Sequence, residues 1–158
     1  MNDIIDKLNI KKIENEELFP YDLLLLADPS PGLIKEYTSR GDVYIAELHN
    51  RVIGVYVLIK TRPATMELVN LAVNESFHGK GIGKALIKDA IETAKKADMK
   101  TLEVGTGNSS ISQLALYQKC GFRIRSIDHD FFIKHYDEPI IENGIQCVDM
   151  VRLSIDFH

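Results

Sequence analysis

Residues 71–84, Leu-Ala-Val-Asn-Glu-Ser-Phe-His-Gly-Lys-Gly-Ile-Gly-Lys, constrain the chain more than any other stretch. An apolar strand runs into a short loop with three alternating glycines. From residue 83 to 97 the apolar positions Leu86, Ile87, Ala90, Ile91, Ala94 and Ala97 then recur at helical spacing, opposite Lys88, Asp89, Glu92, Lys95 and Lys96. Gly79, Gly81 and Gly83 let backbone N–H groups turn inward, and a helix start adds unsatisfied N–H groups and a positive dipole end. A phosphate or pyrophosphate suits such a loop, with Lys80 and Lys84 adding charge nearby. A nucleotide P-loop does not fit, because His78 occupies its first glycine position and Ala85 stands where a magnesium-binding hydroxyl belongs. A dinucleotide fingerprint fails as well, since its third glycine falls on Lys84 or Leu86. The bland alternative is a turn that serves only helix entry.

The rest of the chain supplies a single domain, residues 1–158, around this element. Its 45% hydrophobic content supports one sizeable core, and 27% charged residues with a net charge of -4 mark a folding, water-compatible chain. The acidic balance and the lack of a long basic run argue against nucleic acid as a partner. No apolar run approaches the roughly 20 residues of a membrane span. Residues 1–12 mix both charge signs without the apolar core of a secretory signal. Two cysteines outside any ligand spacing suit a reducing cytoplasm, the expected location.

Alternation and turn residues predict a first strand within residues 4–13, helices at 18–27 and 33–40, and Gly41 as a left-handed helix terminator. Strands follow at 43–48, 52–59 and 66–73, then the glycine loop and helix, a short strand at 101–104, and a helix at 111–120 closed by Gly121. Residues 122–133 and 145–155 read as two long strands. The order βααβββαβαββ predicts an α+β fold, with helices flanking a mixed, mostly antiparallel sheet.

With these residues in view, the sequence resembles the GCN5-related N-acetyltransferase (GNAT) family. Its acetyl-CoA signature, Gln/Arg-x-x-Gly-x-Gly/Ala after a strand and opening a helix, is similar to residues 78–83, with His78 in place of Gln or Arg. Residues 116–122 resemble its second signature, Leu-Tyr-x-x-x-Gly-Phe. The resemblance implies the acyl-CoA N-acyltransferase fold and acetyl-CoA as acyl donor, with no metal. The activity it implies is transfer to a primary amine of a small cationic molecule or peptide, with a homodimer as a compatible assembly. A non-catalytic acyl-CoA-binding or sensing module and a nucleotide-binding regulatory domain are the competing classes.

The resemblance also implies that strands 66–73 and 101–104 splay at one end, so that pantetheine lies against Leu71, Ala72 and Val73 while His78, Gly79, Lys80, Gly81, Ile82, Gly83 and Lys84 hold the pyrophosphate. The open edge would also supply an oxyanion N–H. Tyr117 is the candidate acid for the thiolate and a cofactor contact, against a plain packing role. Glu67 is the candidate base, against a solvated strand charge. Asn108 and Ser110 are candidate pantetheine contacts in a register where helix capping competes. Alternate strand positions disfavour a metal set of Asp128, His129, Asp130 and His135, and the resemblance, in which the last hairpin closes over the acceptor side, implies that His129, Asp130, Phe132 and His135 line the acceptor pocket. Asp128, Asp130, Asp137, Glu138 and Glu142, interleaved with Phe131, Phe132 and Tyr136, would draw a cationic acceptor. The helical arm with Asp22, Asp28 and Glu36 would form the opposite wall. Cys120 is read as a buried helix-end residue.

Overall fold

The computed structural model describes residues 3–157, so positions 1, 2 and 158 of the expected domain lie outside the described residues. Its elements are α1 (Asp3–Lys7), β1 (Asn9–Ile13), α2 (Tyr21–Ala27), α3 (Pro31–Arg40), β2 (Asp42–Leu48), β3 (Arg51–Arg62), β4 (Thr65–Val73), α4 (Ile82–Lys96), β5 (Thr101–Gly107), α5 (Ile111–Lys119), β6 (Arg123–Asp128), α6 (Phe131–His135), β7 (Ile140–Glu142), β8 (Ile145–Cys147) and β9 (Met150–Asp156). Among the described residues seven strands form one sheet in the order β1-β2-β3-β4-β5-β9-β6, β7 pairs only with β8, and the β4/β5 pair alone is parallel. That pair follows from the sequence, because α4 carries the chain back across the sheet between them.

Apolar side chains cover both faces. Ile82, Leu86, Ile87, Ala90 and Ala94 of α4 pack on Tyr56, Leu58, Met66, Leu68, Leu102 and Leu153. On the other face Phe19, Leu23, Leu24, Ile34 and Tyr37 of the arm cover Val43, Ile45, Val55, Val57 and Ile59. The central strand β3 therefore reads as a continuous buried run from Ile53 to Ile59. Burying a Leu or Ile side chain contributes about 1.5–3 kcal/mol, so this two-sided strand is the main anchor of the sheet.

The first strand lies within residues 4–13 as expected, over Asn9–Ile13, and a short helix precedes it, from which Ile4 and Ile5 pack on the core together with Leu8. Three other sequence expectations change. The helix expected over 18–27 is broken at Pro20, with a 3-10 turn over Glu16–Leu18 before it and α2 after it. Residues 122–133 and 145–155 are not two long strands. The first ends in α6, where Phe131 pairs with His135 and Phe132 with Tyr136 at a four-residue spacing, ring centroids 4.7 and 5.5 Å apart. The second is divided into β8 and β9. Gly41 is extended rather than left-handed, with φ -112° and ψ -175°. It is small because a Cβ there would strike Leu58 O and Tyr37 O at 2.7 and 2.9 Å. Gly121 does close α5 in the left-handed region, at φ 106°.

One irregularity positions the site. The β3/β4 register jumps from Val57↔Asn70 to Leu58↔Leu68, leaving Val69 as a bulge. A bulge shifts the alternation by one residue. Leu68 and Leu71 consequently face the α4 side, whereas Val69 and Ala72 pack toward the arm. Pairing of β4 with β5 stops at Leu68↔Val104, beside the bulge. β5 instead follows β9 as far as Gly107↔Met150.

Candidate active site

Beyond Leu68 the two parallel strands separate, and the β4 edge facing β5 has no ladder partner. The orientation of that edge follows from one hydrogen bond, Asn74 N donating to Ile53 O at 2.7 Å. Asn74 thus faces β3, and by the antiparallel alternation Leu71 and Val73 turn their N–H and C=O groups outward. His78 Nε2 lies 2.8 Å from Val73 O and occupies that carbonyl. The side chain that departs from the family signature thereby clips the glycine loop to the end of β4.

At the loop, Gly81 is the residue preceding α4, with φ 83° and ψ 8°. The first bond of the helix is Ala85 N to Gly81 O at 3.1 Å, and no side chain caps the start. The first-turn N–H groups are left to an incoming anion. A groove of about 660 Å³ runs along this feature, walled by Leu71, Val73, His78, Gly81, Gly83 and Lys84 with Leu116 and Lys119 of α5 opposite.

A second cavity, of about 410 Å³, occupies the gap between the splayed strands. It shares Leu26, Ala27, Leu71 and Gln113 with the groove. Tyr117 forms part of its wall, buried at 6% exposure, with the ring edge-on to Phe122. Burial raises the Tyr117 phenol well above its ordinary value of 10, with Cys120 adding to the effect, so the phenol stays protonated and able to donate. Asp28, Glu142, Thr106, Ser110 and Tyr136 are also in the wall, which contains no Lys, Arg or His. Met150 and Cys147 fill the space beside Gly105 and Gly107, so side chains at those glycines would collide with them.

This geometry has relatives. The sequence matches the acetyltransferase (GNAT) family profile over residues 9–122. The chain belongs to the GNAT family. It is 62% identical over 154 residues to the uncharacterized N-acetyltransferase YvbK of Bacillus subtilis (strain 168), covering 96% of this chain and 98% of that one. A GNAT family acetyltransferase from Elizabethkingia anophelis, solved with acetyl-CoA bound, superimposes with a TM-score of 0.94 at 49% identity, covering 96% and 99% of the two chains. The IAA acetyltransferase from Bacillus cereus ATCC 14579 does so with a TM-score of 0.92 at 60% identity, covering 95% and 99%.

In this GNAT chain, Leu71, Ala72, Val73, His78, Gly79, Gly81, Ile82, Gly83 and Lys84 all lie on the groove wall, whereas Lys80 is exposed beyond it. Glu67 lies in neither wall. It is half-buried before the bulge, beside Glu103 in the parallel register, and burial raises its carboxyl against the opposing Arg152 charge. Asn108 is not brought to either cavity. Its Oδ1 accepts from Val148 N and Asp149 N at 2.8 and 3.0 Å and its Nδ2 donates to Gln146 O, so it clamps β5 to the link before β9. Ser110 reaches the second cavity, and its Oγ donates to Glu142 at 3.0 Å instead of capping α5.

Of the four residues read as acceptor lining, only Phe132 is in the wall. His129, Asp130 and His135 are exposed; the first two precede α6, with Asp130 in the left-handed region, and His135 is the last residue of α6, where a connection was expected. Asp128 is paired with Arg152 at 3.1 Å, and Glu36 with Arg40 at 2.7 Å. Asp137 and Glu138 border a smaller hollow beyond Phe132. Among the described residues, no group of three or more His, Cys, Asp or Glu gathers to hold a metal ion. Sequence reasoning missed Asn70, Tyr37 and the contact of Tyr136 with Asp28. Tyr37 meets Asp28 nine positions away, but Asn70 joins them across 33 positions and Tyr136 across 108, so no local pattern marks the array.

Proposed function

We propose that the protein transfers the acetyl group of acetyl-CoA to a primary amine of a small cationic molecule or a peptide. The observation that carries this reading is the junction at the splay. There a groove ending on an uncapped helix start opens into a cavity that holds two carboxylates and no cationic side chain. The helix start and Gly81 loop hold the pyrophosphate, and the outward Leu71 backbone groups and the Val73 N–H take the pantetheine arm.

The amine nitrogen attacks the thioester carbonyl carbon, and an outward β4 N–H stabilises the oxyanion. The carbon–sulfur bond then breaks, and the departing thiolate takes the Tyr117 proton. The amine's own proton passes through water to Glu67, which lies outside the cavity wall and whose raised carboxyl makes it a better acceptor near neutrality. The two cysteines carry no step. Burial raises both thiols, which keeps them poor nucleophiles.

The test is thiol release from acetyl-CoA across an amine panel, with the product identified by mass. Cationic amines or lysine-bearing peptides are expected to outperform acidic amino acids, with rates falling as salt rises. Preference for acidic acceptors sinks the charge argument. CoA binding without turnover on any acceptor makes the protein a sensing module instead.

A further inference from the structure

A buried polar array lies between the arm and β4. Asn70 is 3% exposed and its Nδ2 donates to Leu24 O at 3.1 Å and to Tyr37 Oη at 2.9 Å. The amide cannot be turned over, because the Leu24 carbonyl only accepts. Its Oδ1 therefore stays where it is, and it has no partner among the described residues. A buried acceptor without a donor is costly, and Asn70 belongs to the wall of the second cavity.

Asp28 adjoins it. This carboxylate, 8% exposed, accepts from Tyr37 Oη at 3.0 Å, Tyr136 Oη at 2.8 Å and Ser30 N at 3.1 Å. All three donors are neutral, and no cationic side chain lines the cavity. Asn70 Oδ1 is itself sealed from the cavity, and the amide acts through Tyr37, whose hydroxyl it donates to and which in turn donates to Asp28. Asp28 is the charged group of this array in the cavity wall, and a ligand group bearing a positive charge complements it.

That group is not the amine that reacts. Nucleophilic attack needs a neutral nitrogen, and a fixed buried carboxylate holds a neighbouring ammonium in its protonated form. We propose that Asp28, held in place by Tyr37 and Asn70, anchors a second, charged N–H group of the acceptor, set apart from the attacking amine. This inference rests on the amine-acetylation reading and names the part of the acceptor that the cavity selects.

The experiment compares 1,4-diaminobutane with n-butylamine, two amines of equal chain length, at saturating acetyl-CoA. Wild-type protein is expected to show at least a tenfold higher kcat/KM for the diamine. Asp28→Asn should raise the diamine KM about tenfold with its kcat within threefold, and should raise the butylamine KM by less than threefold, so that the diamine preference collapses. Tyr136→Phe guards against a folding defect, since it keeps the carboxylate and removes one competing donor. It should leave the diamine KM equal or lower. Wild-type values for the two amines within threefold, or parallel losses on both amines in either variant, overturn the anchor. Acetylation of lysine-bearing peptides but of neither probe also overturns the anchor while the amine reading stands. Acetylation of no amine at all removes both.

Discussion

Gly81 and Gly83 stand two positions apart in one loop, yet their backbones make opposite demands. Gly81 sits at φ 83°, where an L side chain meets the following carbonyl at a cost of about 1–2 kcal/mol. Gly83 lies in the first turn of α4, outside the left-handed region, and a Cβ there would meet only Leu116 Cδ2 at 3.6 Å, an ordinary contact. Alanine gains up to about 1 kcal/mol over glycine in a helix. At roughly 2–4 °C per kcal/mol for a domain of this size, Gly81→Ala should lower Tm by about 2–8 °C and Gly83→Ala should raise it by up to about 4 °C. Binding separates the two again. The free Gly81→Ala protein already carries the strain that lowers its Tm, so CoA binding does not incur it again and affinity stays within about threefold. The Gly83→Ala methyl lies on the groove wall and weakens CoA without any loss of stability. The assays are thermal unfolding of the free protein and calorimetric titration with CoA. A Gly83→Ala variant destabilised as much as Gly81→Ala, or a Gly81→Ala variant with wild-type Tm, refutes this account of the loop.

Tyr117→Phe should reduce turnover by about 10²–10⁴ while CoA affinity stays within about threefold, as steady-state rates and calorimetry will show. Because burial raises the phenol, turnover should show no loss assignable to Tyr117 as pH climbs toward 10, and unchanged turnover in the variant would reduce Tyr117 to a packing role. Glu67 supplies a stability test with a defined sign. Its folded carboxyl titrates above the ordinary 4.5, so its charged form weakens the fold once pH exceeds the folded value, and the penalty vanishes below the unfolded one. Glu67→Gln should be more stable than wild type at about pH 7 and no more stable at about pH 4 in urea unfolding, and a gain that persists in acid contradicts the burial argument. Asn108→Ala, which strips two backbone N–H groups of their acceptor, should cost about 1–3 kcal/mol and leave the CoA dissociation constant unchanged. A selective loss of CoA affinity would return Asn108 to the cofactor site.

Residues 71–97 declare themselves because each choice there is local. The apolar strand end, the alternating glycines and the 3.6-residue apolar spacing act through neighbours in sequence, so strand, anion loop and α4 are readable without the fold. The antiparallel order of β2, β3 and β4 is legible for the same reason, through short turns. The first family signature, residues 78–83, falls within these locally determined parts, and the second, residues 116–122, at the Gly121-closed end of α5. The acceptor side does not. Residues 122–133 read as one strand, whereas in the fold α6 begins at Phe131, its rings meet at four-residue spacing, and Phe132 N donates to Val148 O in the link before β9. Tyr136 reaches Asp28 across 108 positions, and Asn70 meets Tyr37 across 33. The bulge at Val69 decides which way Asn70 points, and it depends on the β3 register rather than on β4's own residues. Backbone preference is a property of short windows, whereas a cavity is made by side chains that become neighbours only after the sheet has twisted, splayed and been covered.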